Sequence, residues 1–332
     1  MTRSLIILPD DSSRPVLDAV NAADRSIRIK MFAFSYRPLL DAVVDAHRRG
    51  VHVKVMLNPE RRDGESDNDH ARNVLRQNAV SVTESSPAFR VTHEKSMVVD
   101  DEYAFVESSN WTDENFTTTR DYAVVTSRTR EVAEISDCFD ADWSRETFVP
   151  HDDSRLVWCP VNGRARIAEF IDDSRQTLFI QNERYQDPVI VERLERASRR
   201  GVKVHVIARK PHHLKADKLL EGVSGLRMLE DVGIKIHQLK HLKLHAKMIL
   251  ADHERAIVGS INLSPGSFDH RRELAIEVDD DHVITRLTKI SHHDSKHSEP
   301  LKLSDEALIA DLADHDQRRV EQLALREPDA NE

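Results

Sequence analysis

Long apolar runs are missing from this sequence. Nothing in its 332 residues approaches the roughly 18 consecutive apolar residues that a membrane-spanning helix requires. Near the start, Leu5–Leu8 is closed at once by Pro9-Asp10, too short for the core of a secretory leader. Cysteine is nearly absent. Cys138 and Cys159 cannot build a disulfide framework and read as reduced, packed thiols. Aromatic residues are 5% of the chain and the net charge is -10, which leaves little for the exposed apolar or basic patch that a bilayer-binding surface needs. The expected location is cytoplasmic, at most peripheral to a membrane.

Charge is what the chain has in quantity. Charged residues are 32% and hydrophobic residues 39%, and at this length two domains with their own cores are the natural expectation. Residues 1–150 carry 19 basic and 26 acidic side chains, a balance of -7; the remainder carries 29 and 32, a balance of -3. Within it, Arg196–Lys247 holds 13 basic residues against 4 acidic ones, with six histidines. That block reads either as a face for an anionic substrate or as a solvated helix surface.

The block runs into Leu242–Asn262, LKLHAKMILADHERAIVGSIN. Leu244, Ala246, Met248 and Leu250 alternate with His245 and Lys247, which predicts a strand with one buried face. Asp252, Ser260 and Asn262 complete the pattern His-x-Lys, four residues, Asp, then Ser-x-Asn. One such match is weak. A second copy, Thr92–Asn110, places His93, Lys95, Asp100, Ser108 and Asn110 at the same spacing, with His93 and His245 separated by 152 residues. Each histidine is followed 28 residues later by an acid that opens an apolar run, Asp121 and Glu273. Agreement at six positions is a strong signal.

The rest of the chain repeats as well. Arg48-Arg49-Gly50-Val51 and Arg199-Arg200-Gly201-Val202 lie 151 apart, as do Ser26-Ile27 and Thr177-Leu178. Strands are expected at Ser4–Leu8, Ser26–Phe34, Val51–Leu57, Val80–Thr83 and Asp121–Thr126, and again at Leu156–Cys159, Thr177–Gln181 and Val202–Ala208. Helices are expected at Arg14–Ala23, Pro38–Arg49, Asp69–Asn78, Arg130–Trp143, Gly163–Asp173, Pro188–Arg200 and His282–His292. Arg61–His70 reads as a polar loop, and Asn58–Asp69 and Arg209–Asp231 read as connections bordering the site. Ser291–Pro300 reads as a polar segment. It leads to a helical tail, Ser304–Leu325, whose Leu308, Ile309, Leu312 and Val320 could dock on the body.

With both motifs in view, the sequence resembles a two-motif member of the phospholipase D superfamily, of the bacterial phospholipase D-like or cardiolipin-synthase-like kind, from about Leu5 to Val278. The resemblance implies an α/β fold. Two duplicated phospholipase D-like α/β/α sandwich domains with mixed sheets would be related by a pseudo-twofold axis. The divisions would be 1–150, 151–295 and a linker with helical tail at 296–332. It also implies the chemistry. One neutral imidazole attacks phosphorus and forms a phosphohistidine, and the other, protonated, donates to the leaving oxygen. His93 is the favoured nucleophile and His245 the acid. Lys95 and Lys247 would hold non-bridging oxygens, Asn110 and Asn262 would donate amide hydrogens, and Ser108 and Ser260 would support them. Asp121 and Glu273 would each accept from the far nitrogen of a histidine. That positive charge belongs to the chain, so neither a metal nor another cofactor is implied.

Other residues carry plainer readings. Asp100 and Asp252 fall after the motif strands and read as structural. Glu107 stands where the second motif has Gly259; its carboxylate could repel the substrate or point away and pair with a lysine. His237, His241 and His245 have helical metal spacing in a stretch that alternates like a strand, so no zinc site is expected. His292, His293 and His297 read as a solvated cluster, His212 and His213 with Lys215 and Lys218 as an exposed loop or a head-group contact, and Trp111 as core. The favoured substrate is a phospholipid at a membrane surface, by hydrolysis or transphosphatidylation. The alternatives are a nuclease and a non-catalytic binder of phosphorylated ligands. No obligate protein partner is expected, and one chain would suffice for activity.

Overall fold

In a computed structural model of the chain, described here for residues 2–59, 68–209, 219–310 and 313, the repeat becomes two mixed sheets. The first half contains β1 (Arg3–Leu8), α1 (Arg14–Ala22), β2 (Ser26–Met31), α2 (Arg37–Arg48), β3 (His52–Leu57), α3 (Asp69–Gln77), β4 (Ser81–Glu84), β5 (Val91–Thr92), β6 (Ser96–Val99), β7 (Tyr103–Glu107), α4 (Asp113–Thr117), β8 (Thr119–Thr126) and α5 (Thr129–Ser144). The second contains β9 (Leu156–Cys159), α6 (Gly163–Asp172), β10 (Thr177–Asn182), α7 (Pro188–Arg199), β11 (Lys203–Ala208), α8 (Leu219–Asp231), β12 (Ile236–Leu239), β13 (Lys243–Leu244), β14 (Met248–Ala251), β15 (Arg255–Gly259), α9 (Pro265–His270), β16 (Arg271–Val278), α10 (Asp281–Lys296) and β17 (Ser298–Pro300).

The first sheet runs β1-β8-β7-β6-β2-β3-β4 and the second β17-β12-β11-β10-β14-β15-β16-β5, with β9 also on β16. In each, the strands joined through helices are parallel (β2 to β3, β10 to β11), and the motif hairpins β6-β7-β8 and β14-β15-β16 are antiparallel. Three cores follow from strand alternation. One packs α1, α2 and α3 on the first sheet, and one packs α6, α7 and α8 on the second. The third lies between the sheets. Tyr122 and Val124 of β8 and Leu274 and Ile276 of β16 belong to it, with Val132 and Ile135 of α5 and Val283 and Leu287 of α10. Burying each such side chain stabilises the fold by roughly 1.5–3 kcal/mol, so the sheets are held face to face by apolar area first.

Polar cross-ties then fix the register of the halves. Arg120 on β8 donates through Nε and Nη2 to Asp294 on α10, at 3.0 Å each. Its counterpart Arg272 on β16 donates to Asp142 on α5, at 3.1 and 3.0 Å. All four are buried. Asp142 also accepts from Lys30 at 2.8 Å, and Lys30 reaches Glu94 at 3.0 Å. Glu94, Cys138 and Asp142 form the one metal-like cluster among the described residues, and the Lys30 ammonium fills it.

Several sequence expectations change. The strand expected over Ser26–Phe34 ends at Met31, and the one expected through Leu244–Leu250 breaks at His245–Lys247, whose backbone serves both sheets in turn. The connection Arg209–Asp231 contains α8. Its glycines hid it, and Gly225 is needed there because a Cβ would lie 1.8 Å from the Tyr185 carbonyl oxygen. The polar segment Ser291–Pro300 is the end of α10 followed by edge strand β17 on β12. In the tail, Leu308 joins the second core while Ile309 is exposed, and Leu312 and Val320 lie outside the described residues. His212, His213, Lys215, Lys218 and most of Arg61–His70 also lie outside them. The basic block is largely paired where described: Arg196 with Glu192 and Arg199 with Glu195 along α7, Arg200 with Asp172, and Lys243 with Glu114. A solvated helix face accounts for α7.

Candidate active site at the seam between the halves

Each motif begins in the other half's sheet. Val91 and Thr92 pair in parallel with Arg271 and Arg272 at the start of β16, and Lys243 and Leu244 pair with Thr119 and Arg120 at the start of β8. The His93 and Glu94 amides donate to the Arg272 carbonyl at 2.9 and 3.0 Å, and the His245 amide donates to the Arg120 carbonyl at 3.2 Å. The chain then crosses back into its own sheet. The consequence is that each histidine stands beside the other half's acid. His93 Nδ1 is 2.9 Å from Glu273 Oε2, and His245 Nδ1 is 2.8 Å from Asp121 Oδ1. A carboxylate on Nδ1 fixes the tautomer and turns Nε2 outward.

Both acids are fully buried. Burial opposes the charge on Glu273, but His93 and Arg271 outweigh it and the carboxyl falls to about 2. Asp121 is likewise held below the ordinary carboxylate range, against burial, by His245 and Lys247. It also accepts from Ser108 Oγ at 2.6 Å, Thr119 Oγ1 at 2.6 Å and Asn115 Nδ2 at 2.9 Å. Burial and the neighbouring Lys95 push His93 down to about 3, with Glu273 only partly opposing, so this imidazole is neutral near pH 7.

Lys95 and Lys247 are buried, each donating to the carbonyl of the histidine two residues before it. The Lys95 ammonium is pushed well below its ordinary range by burial and by Lys247. Asn110 and Asn262 are buried, and neither carboxamide makes a hydrogen bond among the described residues; both oxygens are orphaned. At these matching positions two buried carboxamide oxygens are therefore left without a partner among the described residues. Ser108 and Ser260 act differently from the expected phosphate contacts. Ser108 accepts from the Tyr122 amide at 2.9 Å while donating to Asp121, and Ser260 exchanges bonds with the Leu274 backbone at 3.2 and 3.1 Å. They tie the motif ends to β8 and β16.

The remaining sequence candidates find structural places. Asp100 accepts from the amides of Asp24, Arg25 and Ser26, and Asp252 from those of Arg175, Gln176 and Thr177; both sit in left-handed turns at φ 55. Trp111 is core, packed edge-on to Phe34. Glu107 points away from the lysines. It accepts from Ser109 Oγ at 3.0 Å and Trp111 Nε1 at 3.2 Å, and burial pushes it up to about 7. The matching residues Gly259, Ile261 and Leu263 instead line a small apolar void. A Cβ at Gly259 would lie 2.3 Å from the Leu274 carbonyl oxygen. His237 binds Ser298 Oγ at 2.8 Å, and His293 stacks on His297 at the exposed end of α10.

Two site residues carry no motif. Asn115 bridges Asp121 and His245 Nδ1. Glu183, just past β10, places Oε2 at 2.7 Å from Lys247 Nζ and 3.9 Å from His245 Nε2, and pairs with Arg209. The one sequence signal for Glu183 is the repeat itself: the matching position, 151 residues earlier, is Phe32.

Comparison with known proteins finds the same repeat. The family model described as "Cardiolipin synthase, PLD-like domain" matches twice, over residues 16–143 and 167–294. A polyphosphate kinase of Vibrio parahaemolyticus is 24% identical over 272 residues, covering 76% of this chain and 38% of its own length. Cardiolipin synthase A of Buchnera aphidicola is 35% identical over 97 residues, 29% of this chain and 18% of that protein. The chain thus spans well under half the length of these relatives. The crystal structure of phosphatidylserine synthase from Haemophilus influenzae superposes with a TM-score of 0.69 at 12% identity, covering 91% of this chain and 88% of that one, a likeness of fold. Among the described residues, no helix is long and apolar enough to cross a membrane. With two family matches, a repeated fold and both motifs meeting at one seam, the chain belongs to the phospholipase D-like, cardiolipin-synthase-type family.

Proposed function

We propose that the chain is a phosphodiesterase working through a phosphohistidine, with a phospholipid diester as substrate and water or an alcohol as acceptor. His93 Nε2 attacks phosphorus. The bond to the leaving oxygen breaks, and His245 passes its Nε2 proton to that oxygen. Water or an acceptor alcohol then gives its proton back to His245 and attacks, breaking the phosphorus–nitrogen bond and freeing His93. Lys95, Lys247, Asn110 and Asn262 face the charge that builds on the non-bridging oxygens. The observation that carries this reading is the pair of histidines whose Nδ1 atoms are both taken by carboxylates of the opposite half. The lipid substrate is supported by the family description and by the cardiolipin synthase likeness.

Two experiments test it. In EDTA, phosphatidylglycerol vesicles and a labelled single-stranded oligonucleotide are offered together. Release of glycerol, phosphatidic acid or cardiolipin with the oligonucleotide intact supports the lipid reading. Cutting of the oligonucleotide alone replaces it with a nuclease. Silence on both removes the phosphodiesterase reading for these substrates. Denaturing quenching in detergent at alkaline pH, where a phosphorus–nitrogen bond survives, with phosphorus-labelled bis(p-nitrophenyl) phosphate then assigns the roles. Because p-nitrophenolate leaves without a proton, His245→Ala should trap phosphoenzyme and His93→Ala should not. Equal trapping in both would sink the division.

A further inference from the structure

The two halves differ most, within the site, at one matched pair of positions. Beside His93 stands Phe32, its ring 5.0 Å from the imidazole and 5.1 Å from Lys95 Nζ. Beside His245 stands Glu183, ion-paired to Lys247 and Arg209. A carboxylate therefore occupies the shell in which two lysines wait for phosphoryl oxygens. Its side chain is 12% exposed, so water screens it little.

The charges can be counted. Glu183 offsets one of Lys247 and Arg209, leaving a single positive charge in that cluster. Lys95, which makes no ion pair among the described residues, adds one more. Asp121 is paired with His245, and the charge on Glu273, which accepts from the neutral His93, is met by Arg271 at 3.7 Å. Glu183 thus takes away one of the three positive charges that Lys95, Lys247 and Arg209 would otherwise present, which weakens the site's hold on a second negative charge. A second charge on the same group, or on an adjoining phosphate, would meet Glu183 across a few ångströms of poorly screened space.

We infer that Glu183 is a specificity determinant that admits monoanionic phosphodiesters and turns away phosphomonoesters and polyphosphate, through its place against Lys247, Arg209 and His245 Nε2. This rests on the proposed diester chemistry of the same site. It separates the chain by substrate class from relatives whose name is polyphosphate kinase. Glu183 discriminates by charge and takes no part in bond making.

The test uses the full chain in EDTA, with inorganic tripolyphosphate as a binding probe and bis(p-nitrophenyl) phosphate and p-nitrophenyl phosphate as diester and monoester. Calorimetry should give weak or no tripolyphosphate binding to the wild type. Glu183→Gln should strengthen it by about tenfold or more. The diester-to-monoester ratio of kcat/KM should fall by a similar factor, and Glu183→Asp should restore it. Should the Gln variant fail to fold, Glu183→Phe, the side chain that the fold accommodates at Phe32, replaces it. Tripolyphosphate affinity that is unchanged or weaker without the carboxylate overturns the inference. So does a wild type that binds tripolyphosphate more tightly than the diester. The calorimetric shift needs no turnover: its presence in a protein that cleaves no diester would retire the diester reading while keeping the charge selection.

Discussion

His93 bonds through Nδ1 to Glu273, 180 residues away and in the other half of the chain. The reciprocal bond joins His245 to Asp121. A lesion in one half's acid therefore reaches the other half's histidine. Glu273→Gln should behave as a lesion of the nucleophile, because an amide hydrogen facing Nδ1 favours the tautomer with Nε2 protonated. Rapid-quench formation of phosphoenzyme from bis(p-nitrophenyl) phosphate should slow by about 100-fold. Asp121→Asn should leave that formation within a few fold and slow the breakdown step instead. The opposite assignment would show that each acid serves its own half.

The acid side of the pH profile follows from the environment of His93. Burial and Lys95 hold its pKa at about 3, so this imidazole, the proposed nucleophile, stays deprotonated well below neutrality. The expected result is that phosphoenzyme formation from the p-nitrophenyl diester stays level from pH 7 to 5 in a stopped-flow series. A fall centred near the ordinary histidine pKa, about 6.5, would contradict it.

Asp294 holds together Arg120, Gln181 and, through them, the two sheets, with Gln181 Nε2 at 2.7 Å. Asp294→Ala leaves the buried Arg120 guanidinium with only Asp10 and the Leu8 carbonyl, and takes the acceptor from Gln181 Nε2. The expected loss in urea unfolding is about 1–3 kcal/mol, and Asp142→Ala, which takes the carboxylate from Arg272 and leaves Lys30 with Glu94 alone, should cost more, about 3–5 kcal/mol. A loss within about 0.5 kcal/mol, the range of ordinary surface substitutions, would mean that water reaches the pair.

Glu107 gives a stability signature of known sign. Its folded pKa is raised from 4.5 to about 7, so the native state holds the proton more tightly than the unfolded chain. The stability this contributes is fully present below about pH 4.5 and is lost as pH rises through 7, by on the order of 3 kcal/mol in all. Glu107→Gln should remove that dependence and raise Tm at pH 8 relative to pH 5. The same slope in the variant would place the titrating group elsewhere.

The doubled motif made the fold class and the His-Lys-Asn sets legible, because chance rarely sets the same residue types twice at one spacing. The 151-residue offset likewise exposed the duplicated strands and helices. Which acid meets which histidine was not legible. That depends on β5 and β13 crossing into the opposite sheets, and a two-residue strand leaves no periodic trace. The basic block was ambiguous for a different reason: Arg196 and Arg199 find carboxylates one helical turn away, and a net charge over a window cannot show which charges are already matched. Glu183 was hidden because a single acid after a strand resembles any loop residue until it is laid against Phe32.

The reciprocal strand exchange has a consequence for how such a site can change. Two separate, identical chains meeting about a true twofold axis would present the same side chain on both sides, two rings or two carboxylates. Joining the copies in one polypeptide keeps the mutual embrace while releasing each copy from its twin. Phe32 against Glu183, and Glu107 against Gly259, are differences that a symmetric pair could never hold. In this chain the covalent link is what allows the surroundings of His93 and His245 to become unlike.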